Sequence, residues 1–213
     1  LKTEAVDCGR NAPLDETDQS VYFKCMSDTN KRKKQPQIVR ALLLEAAAQL
    51  TAKRGLGGIT LDLVAKMAGV SKGGLIHHFP SKQALIEGLF HTLVAAFEDA
   101  IHGFVEQDPN PRGRFTRGYV QASASPRNEP FDSKLIGACA LAMSVDDKLA
   151  VSWRNWLDSQ LEKHGEATDS VLGQLIRYSA DGIWLHHCTD STDSSRAKRD
   201  AVAERLITMT YEL

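Results

Sequence analysis

The stretch ITLDLVAKMAGVSKGGLIHHFPSKQAL, residues 59–85, decides how the chain is read. Thr60 is a good N-cap, and Leu61, Val64, Ala65 and Ala68 after it give a short helix one apolar side. Gly69 stops that helix after fewer than three turns and suits a left-handed turn. Ser71 caps a second short helix, which must end before Pro80, and Ser81 caps a third. Ala65 is small where two helices would approach closely, and Val70 is placed to plug the core beneath the turn. Two short helices joined by a tight glycine turn form a helix-turn-helix candidate. The second helix of such a motif can lie in the major groove with its first residues at base edges. Its free backbone N–H groups favour a phosphate.

Working outward, the sequence predicts helix almost throughout. Before the motif, Val39, Leu43, Ala47 and Leu50 form one stripe in a helix that opens near Pro36 and ends at Gly55, Gly57 and Gly58. After it, a long helix from Ser81 carries Leu85, Leu89, Phe90, Leu93, Phe97, Ile101 and Phe104 until Pro109-Asn110-Pro111. Further helices are expected at about 112–124, 133–144, 146–164, 168–188 and 195–211, with breaks at Ser125-Pro126, Gly165 and the polar stretch 189–195. No stretch alternates with period two, and no internal repeat is visible. The expected fold class is therefore all-α. Its parts are an N-terminal extension outside the core fold (1–30), a three-helix domain carrying the helix-turn-helix candidate (31–82) and a larger helical domain (83–213). Residues 1–25 have little helical periodicity and read as foreign to the rest, with Met26 a plausible start.

The 213 residues carry a net charge of −1, unevenly spread. Residues 26–90 hold ten Lys+Arg against four Asp+Glu, whereas residues 91–213 hold thirteen against eighteen. A basic block beside an acidic body suggests that one part meets a polyanion. Lys31-Arg32-Lys33-Lys34 reads equally as a solvated tail or as a phosphate-contacting arm. No apolar run of membrane-spanning length and no secretory signal pattern is present, so the cytoplasm is the expected compartment. Cys8, Cys25, Cys139 and Cys188 form no CxxC pair and read as thiols, not a disulfide framework. His186, His187 and Cys188 are adjacent, but neighbours on a helix diverge by about 100°, so no metal site is expected there. Phosphate-loop and HExxH motifs are absent, so neither a catalytic residue nor a cofactor is expected. A non-regulatory nucleic-acid binder, which would bind without sequence preference, is another alternative, and a regulator whose C-terminal half only dimerises is a further one.

Residues 59–85, with the preceding LLEAAAQLTAKRG, closely resemble the DNA-binding domain of the TetR family of bacterial regulators. The likeness covers roughly residues 36–90 and keeps the spacing from AGVSKG through HHFPSK to AL without a gap. The later residues are similar to the family only in architecture. The resemblance implies an all-helical homodimer on palindromic double-stranded operator DNA, released when a small-molecule effector enters the C-terminal domain. By position it implies a phosphate contact from Thr60. It implies groove-facing positions for Ser71, Lys72, Gly73, Gly74, Ile76 and His77, and backbone contacts from His78 and Lys82. Many relatives carry Thr at the Gly74 position and Tyr at the Ile76 position. Gly74 could admit a close backbone approach, and Ile76 could pack on a thymine methyl or face the domain core. Base reading would then fall more heavily on Lys72 and His77.

A helical ligand pocket needs aromatic walls and a few polar groups. Phe104, Phe115, Tyr119, Met143, Trp153, Trp156, Leu157, Tyr178 and Trp184 are the candidates, with ordinary core as the alternative for each. Asp158, Asp181 and Arg177 are candidate anchors, and a buried carboxylate among tryptophans would suit an organic cation. The last two helices are the expected dimer surface, on the strength of the resemblance, with Gly173 and Gly182 as points of close approach.

Overall fold

The computed structural model describes residues 35–125, 133–190 and 192–213. The expectations for residues 1–30 and for the Lys31–Lys34 arm lie outside the described residues. Among the described residues there are nine α-helices and no strand. They are α1 (Pro36–Arg54), α2 (Leu61–Met67), α3 (Lys72–His78), α4 (Lys82–Val105) and α5 (Arg114–Ala124). The rest are α6 (Ser133–Met143), α7 (Asp147–Lys163), α8 (Val171–Thr189) and α9 (Asp193–Met209). Short 3-10 turns lie at Leu56–Gly58 and Thr210–Glu212. The all-α expectation holds, and each helix falls within a few residues of its predicted span.

The boundaries have local chemical causes. Thr60, Ser71 and Ser81 accept from the backbone N–H groups of Leu63 (3.3 Å), Gly74 (3.1 Å) and Ala84 (3.0 Å). Asp146, Ser170 and Thr192 cap α7, α8 and α9 in the same way. Each such cap contributes about 1 kcal/mol. The start of α9 at Asp193, earlier than expected, follows from the Thr192 cap. The start of α5 is different. Gly113, with φ +66°, precedes it and has no side chain to offer. The Glu166 carboxylate, from the loop between α7 and α8, accepts there instead, from the N–H groups of Phe115 (2.7 Å) and Thr116 (3.2 Å). A carboxylate also complements the positive end of the helix dipole.

Of residues 35–39, Ile38 and Val39 donate their N–H groups to the Gln35 carbonyl and so open the first turn of α1. In residues 40–213, Leu43, Ala47, Val64, Leu75, Leu85 and Leu89 are wholly buried, which accounts for the apolar stripes read around the motif. Further along, α5 packs on α4, α8 and α9, with Phe115, Tyr119 and Val120 buried among Phe97, Ile101, Ile176, Ile183 and Leu206. Gly118 permits this closeness, since a Cβ there would stand 3.1 Å from the Ile101 carbonyl oxygen. Burying each such aliphatic or aromatic side chain contributes about 1.5–3 kcal/mol.

Candidate nucleic-acid interface and ligand cavity

Helices α2 and α3 pack together across a turn whose Gly69 has φ +64°. The turn closes when the Val70 N–H donates to the Ala65 carbonyl (2.9 Å). Ala65 is buried at the helix contact, as its size suggested, whereas Val70 is only half-buried and flanks Gly74 instead of filling the core. Leu75 and Phe79 hold α3 down, and the Arg40 guanidinium lies 5.2 Å from the centre of the Phe79 ring.

This anchoring leaves one side of α3 outward. Ser71, Lys72, Gly73 and His77 are exposed, and Ile76 is 43% exposed, so Ile76 does not serve the domain core. Gly74 is half-buried, and a Cβ there would meet Val70 Cγ1 at 3.0 Å and Ser71 Oγ at 3.2 Å. A larger residue at this position would push Val70 aside, which gives the departure from Thr a local reason. Lys72 Nζ lies 3.0 Å from Asp62 Oδ1 on α2, with both side chains largely solvent-exposed. Such a pair holds its partners only weakly, which leaves the ammonium available to a phosphate or base. His77 and His78 meet edge to face at 5.4 Å. Partial burial, then the neighbouring His77 and Arg40, hold the His78 pKa below the usual imidazole value. Thr60 is exposed and its hydroxyl oxygen caps α2, leaving its proton to donate. Half-buried Lys82, in the first turn of α4, donates to the Gly57 carbonyl (3.3 Å) and so ties α4 to the loop before α2.

The second feature is a cavity of about 720 Å³ lined by residues of α4, α5, α6, α7 and α8. That volume falls in the range of small-molecule sites. Phe104, Tyr119, Met143, Trp153 and Trp184 line it. The other four aromatic and aliphatic candidates stand elsewhere. Phe115 is fully buried in the core, and Leu157 and Trp156 pack against that core. Trp156 also donates its indole N–H to Glu98 (2.9 Å). Tyr178 is 68% exposed on the outside of α8. Three consecutive facts explain the shift: Trp153 and Trp156 are three residues apart, their rings are 4.8 Å apart, and only the first lines the cavity. The sequence reading also passed over Phe90, Phe97 and Cys139, which line it too. The signal was present in α4, whose apolar residues at 90, 93, 94, 97 and 104 make a face wider than one core contact requires.

Of the three polar anchors considered, Asp158 is exposed, and buried Arg177 donates to Thr116 Oγ1 (3.2 Å) without lining the cavity. Asp181 does line it and accepts from the Tyr119 hydroxyl. Burial pushes the Asp181 carboxyl up to about 6, against the downward pull of the Tyr119 hydrogen bond and the Arg177 charge. A carboxyl whose folded value is raised binds its proton more tightly when folded. Folding stability therefore falls as pH rises from its unfolded value towards about 6. An Asp181→Asn protein is expected to lack that fall, and urea titrations across this pH interval check it. Parallel curves for the two proteins would contradict the assignment.

Among the described residues no three His, Cys, Asp or Glu side chains are grouped so as to hold a metal ion. Among them, too, no helix is long and apolar enough to cross a membrane.

A helix-turn-helix followed by a helical body with a cavity among its helices defines a DNA-binding module joined to a second helical domain. Two family models match the chain. "Bacterial regulatory proteins, tetR family" covers residues 43–89, and "Tetracyclin repressor-like, C-terminal domain" covers residues 113–211. The chain belongs to the TetR family of bacterial regulatory proteins. Over 88 residues it is 36% identical to the HTH-type transcriptional repressor KstR2 of Mycobacterium tuberculosis, 39% of this chain and 42% of that protein. Over 103 residues it is 30% identical to the nucleoid occlusion factor SlmA of a Marinomonas species, 48% of this chain and 52% of that protein. The chain thus spans about half or less of the length of these relatives. In fold it is similar to a transcriptional regulator from Rhodococcus, with TM-score 0.64, 24% identity, 81% of this chain and 96% of that one. It is also similar to Salmonella enterica GusR, with TM-score 0.58, 22% identity, 84% of this chain and 96% of that one.

Proposed function

We propose that the chain is a homodimeric, cytoplasmic transcriptional repressor that holds a palindromic operator and releases it when a small molecule fills the cavity. One observation carries the reading. Helix α4 begins at Lys82, tied to the loop before α2, and the same helix lines the cavity with Phe90, Phe97 and Phe104. Gln83 in its first turn also donates to Asp146, the residue that caps α7. A ligand that favours one setting of α4 therefore changes the presentation of α3. A coupling of about 1–3 kcal/mol changes operator affinity roughly 5- to 150-fold.

In this reading the chain divides functionally at residue 82, with residues 31–82 gripping DNA and residues 83–213 sensing and dimerising. Thr60, His78 and Lys82 meet the phosphate backbone. The α3 face of Ser71, Lys72, Gly73, Gly74, Ile76 and His77 enters the major groove. Lys72 and His77 read bases, and exposed Ile76 packs on a thymine methyl. Phe104, Tyr119, Met143, Trp153 and Trp184 form the effector site. The dimer forms through α8 and α9.

The test is a titration of the protein against the intergenic DNA beside its own gene, with a scrambled duplex as control, at about 0.15 M salt. A preference of about a thousandfold or more supports an operator-specific regulator. Equal binding to every duplex tried would favour a general DNA grip instead. In the same assay Lys82→Ala is expected to weaken all duplexes alike and to lower the salt slope by about one unit. A loss confined to the operator would contradict a backbone role for Lys82.

A further inference from the structure

We infer that the cavity takes a hydrophobic organic cation, held by the Asp181 carboxylate between aromatic side chains. The inference rests on the reading of this cavity as the effector site, and it names the chemistry of the effector. Among the described residues that line it there is no Lys, Arg or His, and Asp181 is the sole carboxylate. The Tyr119 hydroxyl donates to Asp181 Oδ1, which fixes the carboxylate, and among the described residues no hydrogen bond to Oδ2 is seen. The guanidinium nearest in influence, that of Arg177, is engaged with Thr116 and forms no ion pair with Asp181.

An ionised carboxylate facing an apolar space with only the indirect pull of Arg177, and no ion pair, is costly. A cation of suitable size removes that cost, whereas an anion adds to it. The walls favour the same sign of charge. Phe97, Phe104, Tyr119, Trp153 and Trp184 line the space, and aromatic faces attract a cation most strongly where water is excluded. A metal ion is a poor fit, since hard cations need six or more oxygen ligands and the wall is mostly carbon. A neutral apolar molecule would fill the volume but leave Asp181 as costly as before. The volume of about 720 Å³ calls for a molecule with several rings or branches rather than a simple ammonium ion.

The experiment uses the full chain and two probes of similar bulk, tetraphenylphosphonium and neutral triphenylphosphine oxide. Binding is followed near pH 8 by quenching of tryptophan emission and by calorimetry. The cation is expected to bind at least about tenfold more tightly than the neutral probe, a difference of about 1.4 kcal/mol. Asp181→Asn is expected to abolish that preference while leaving the neutral probe unchanged. The amide keeps an oxygen for the Tyr119 hydroxyl, and a single cooperative thermal transition with unaltered DNA binding would show the variant intact. Equal binding of the two probes, a preference that survives in Asp181→Asn, or binding of neither probe would each overturn the inference. The regulator reading fails separately. Should tetraphenylphosphonium bind through Asp181 yet leave the operator complex in place at saturation, release by cavity filling is refuted and the cation site stands.

Discussion

An Arg117→Ala protein is expected to lose about 3–5 kcal/mol of folding stability, the cost of removing one partner of a buried ion pair. Arg117 is almost wholly buried on α5 and its Nε lies 2.6 Å from Asp108 Oδ2. Its remaining donors reach the Asn110 carbonyl (2.7 Å) and Thr210 Oγ1 (3.1 Å), and its guanidinium lies 4.4 Å from the centre of the Tyr211 ring. One side chain therefore joins the loop after α4, the body of α5 and the turn after α9. Alanine would at once take a partner from the Asp108 carboxylate, the Asn110 carbonyl and the Thr210 hydroxyl. Burial, the largest single influence, would raise the Asp108 pKa, but the Arg117 hydrogen bond, the Asn110 N–H and the Arg117 and Arg114 charges together outweigh it and the net shift is downward. A depressed carboxyl contributes stability above its unfolded pKa and loses it as pH falls through the folded value. The wild-type protein should thus lose this contribution in acid, and Arg117→Ala should lack it at every pH. Urea unfolding at fixed protein concentration checks both statements. A loss below about 1 kcal/mol at neutral pH would mean that the pair is solvated.

The contrast between Arg117 and the helix-turn-helix shows which interactions a sequence reveals. Thr60, Gly69, Ser71 and Ser81 act on neighbours within a few residues, so their roles follow from local rules of capping and turn conformation, and they were readable. The Arg117 contacts join positions as much as 93 residues apart, and the Glu166 cap on α5 reaches back 50 residues. No periodicity encodes such pairings. The cavity was half legible for a related reason. Helical spacing shows that Trp153, Trp156 and Tyr178 are on helices with apolar faces. It does not show which face meets a neighbour, which meets the cavity and which stays outside. Tyr178 illustrates the failure: an aromatic residue that suited a pocket wall is 68% exposed on α8. Gly173 and Gly182, read as a pair, also part company. A Cβ at Gly173 would stand 2.9 Å from the Arg177 guanidinium, whereas Gly182 faces open space.

Leu175→Glu combined with Tyr178→Glu is expected to convert the protein to a monomer and to weaken operator binding by about 10²–10⁴-fold, the loss of one tethered half-site. The argument begins with the outer face of α8. Val171 (81% exposed), Leu175 (53%), Tyr178 and Leu185 (50%) lie at positions spaced by four, three and seven along the helix. Gly182 continues the same line with no atom near the place of its missing Cβ. Single exposed apolar residues are ordinary, but an ordered stripe of them along about four turns marks a surface that meets another. Its spacing averages 3.5 residues, which keeps one seam facing a partner helix. A second copy of the chain fits, because a two-fold axis lets the same stripe on each protomer cover the other. Two glutamates in that seam would place four carboxylates close together across the axis, where like charges repel and lose water. Since Leu175 and Tyr178 are exposed and outside the core cluster, each protomer should still fold. Sedimentation then separates the outcomes. A folded monomer with weakened operator binding supports pairing through α8, and a dimer that survives both substitutions places the interface on another surface.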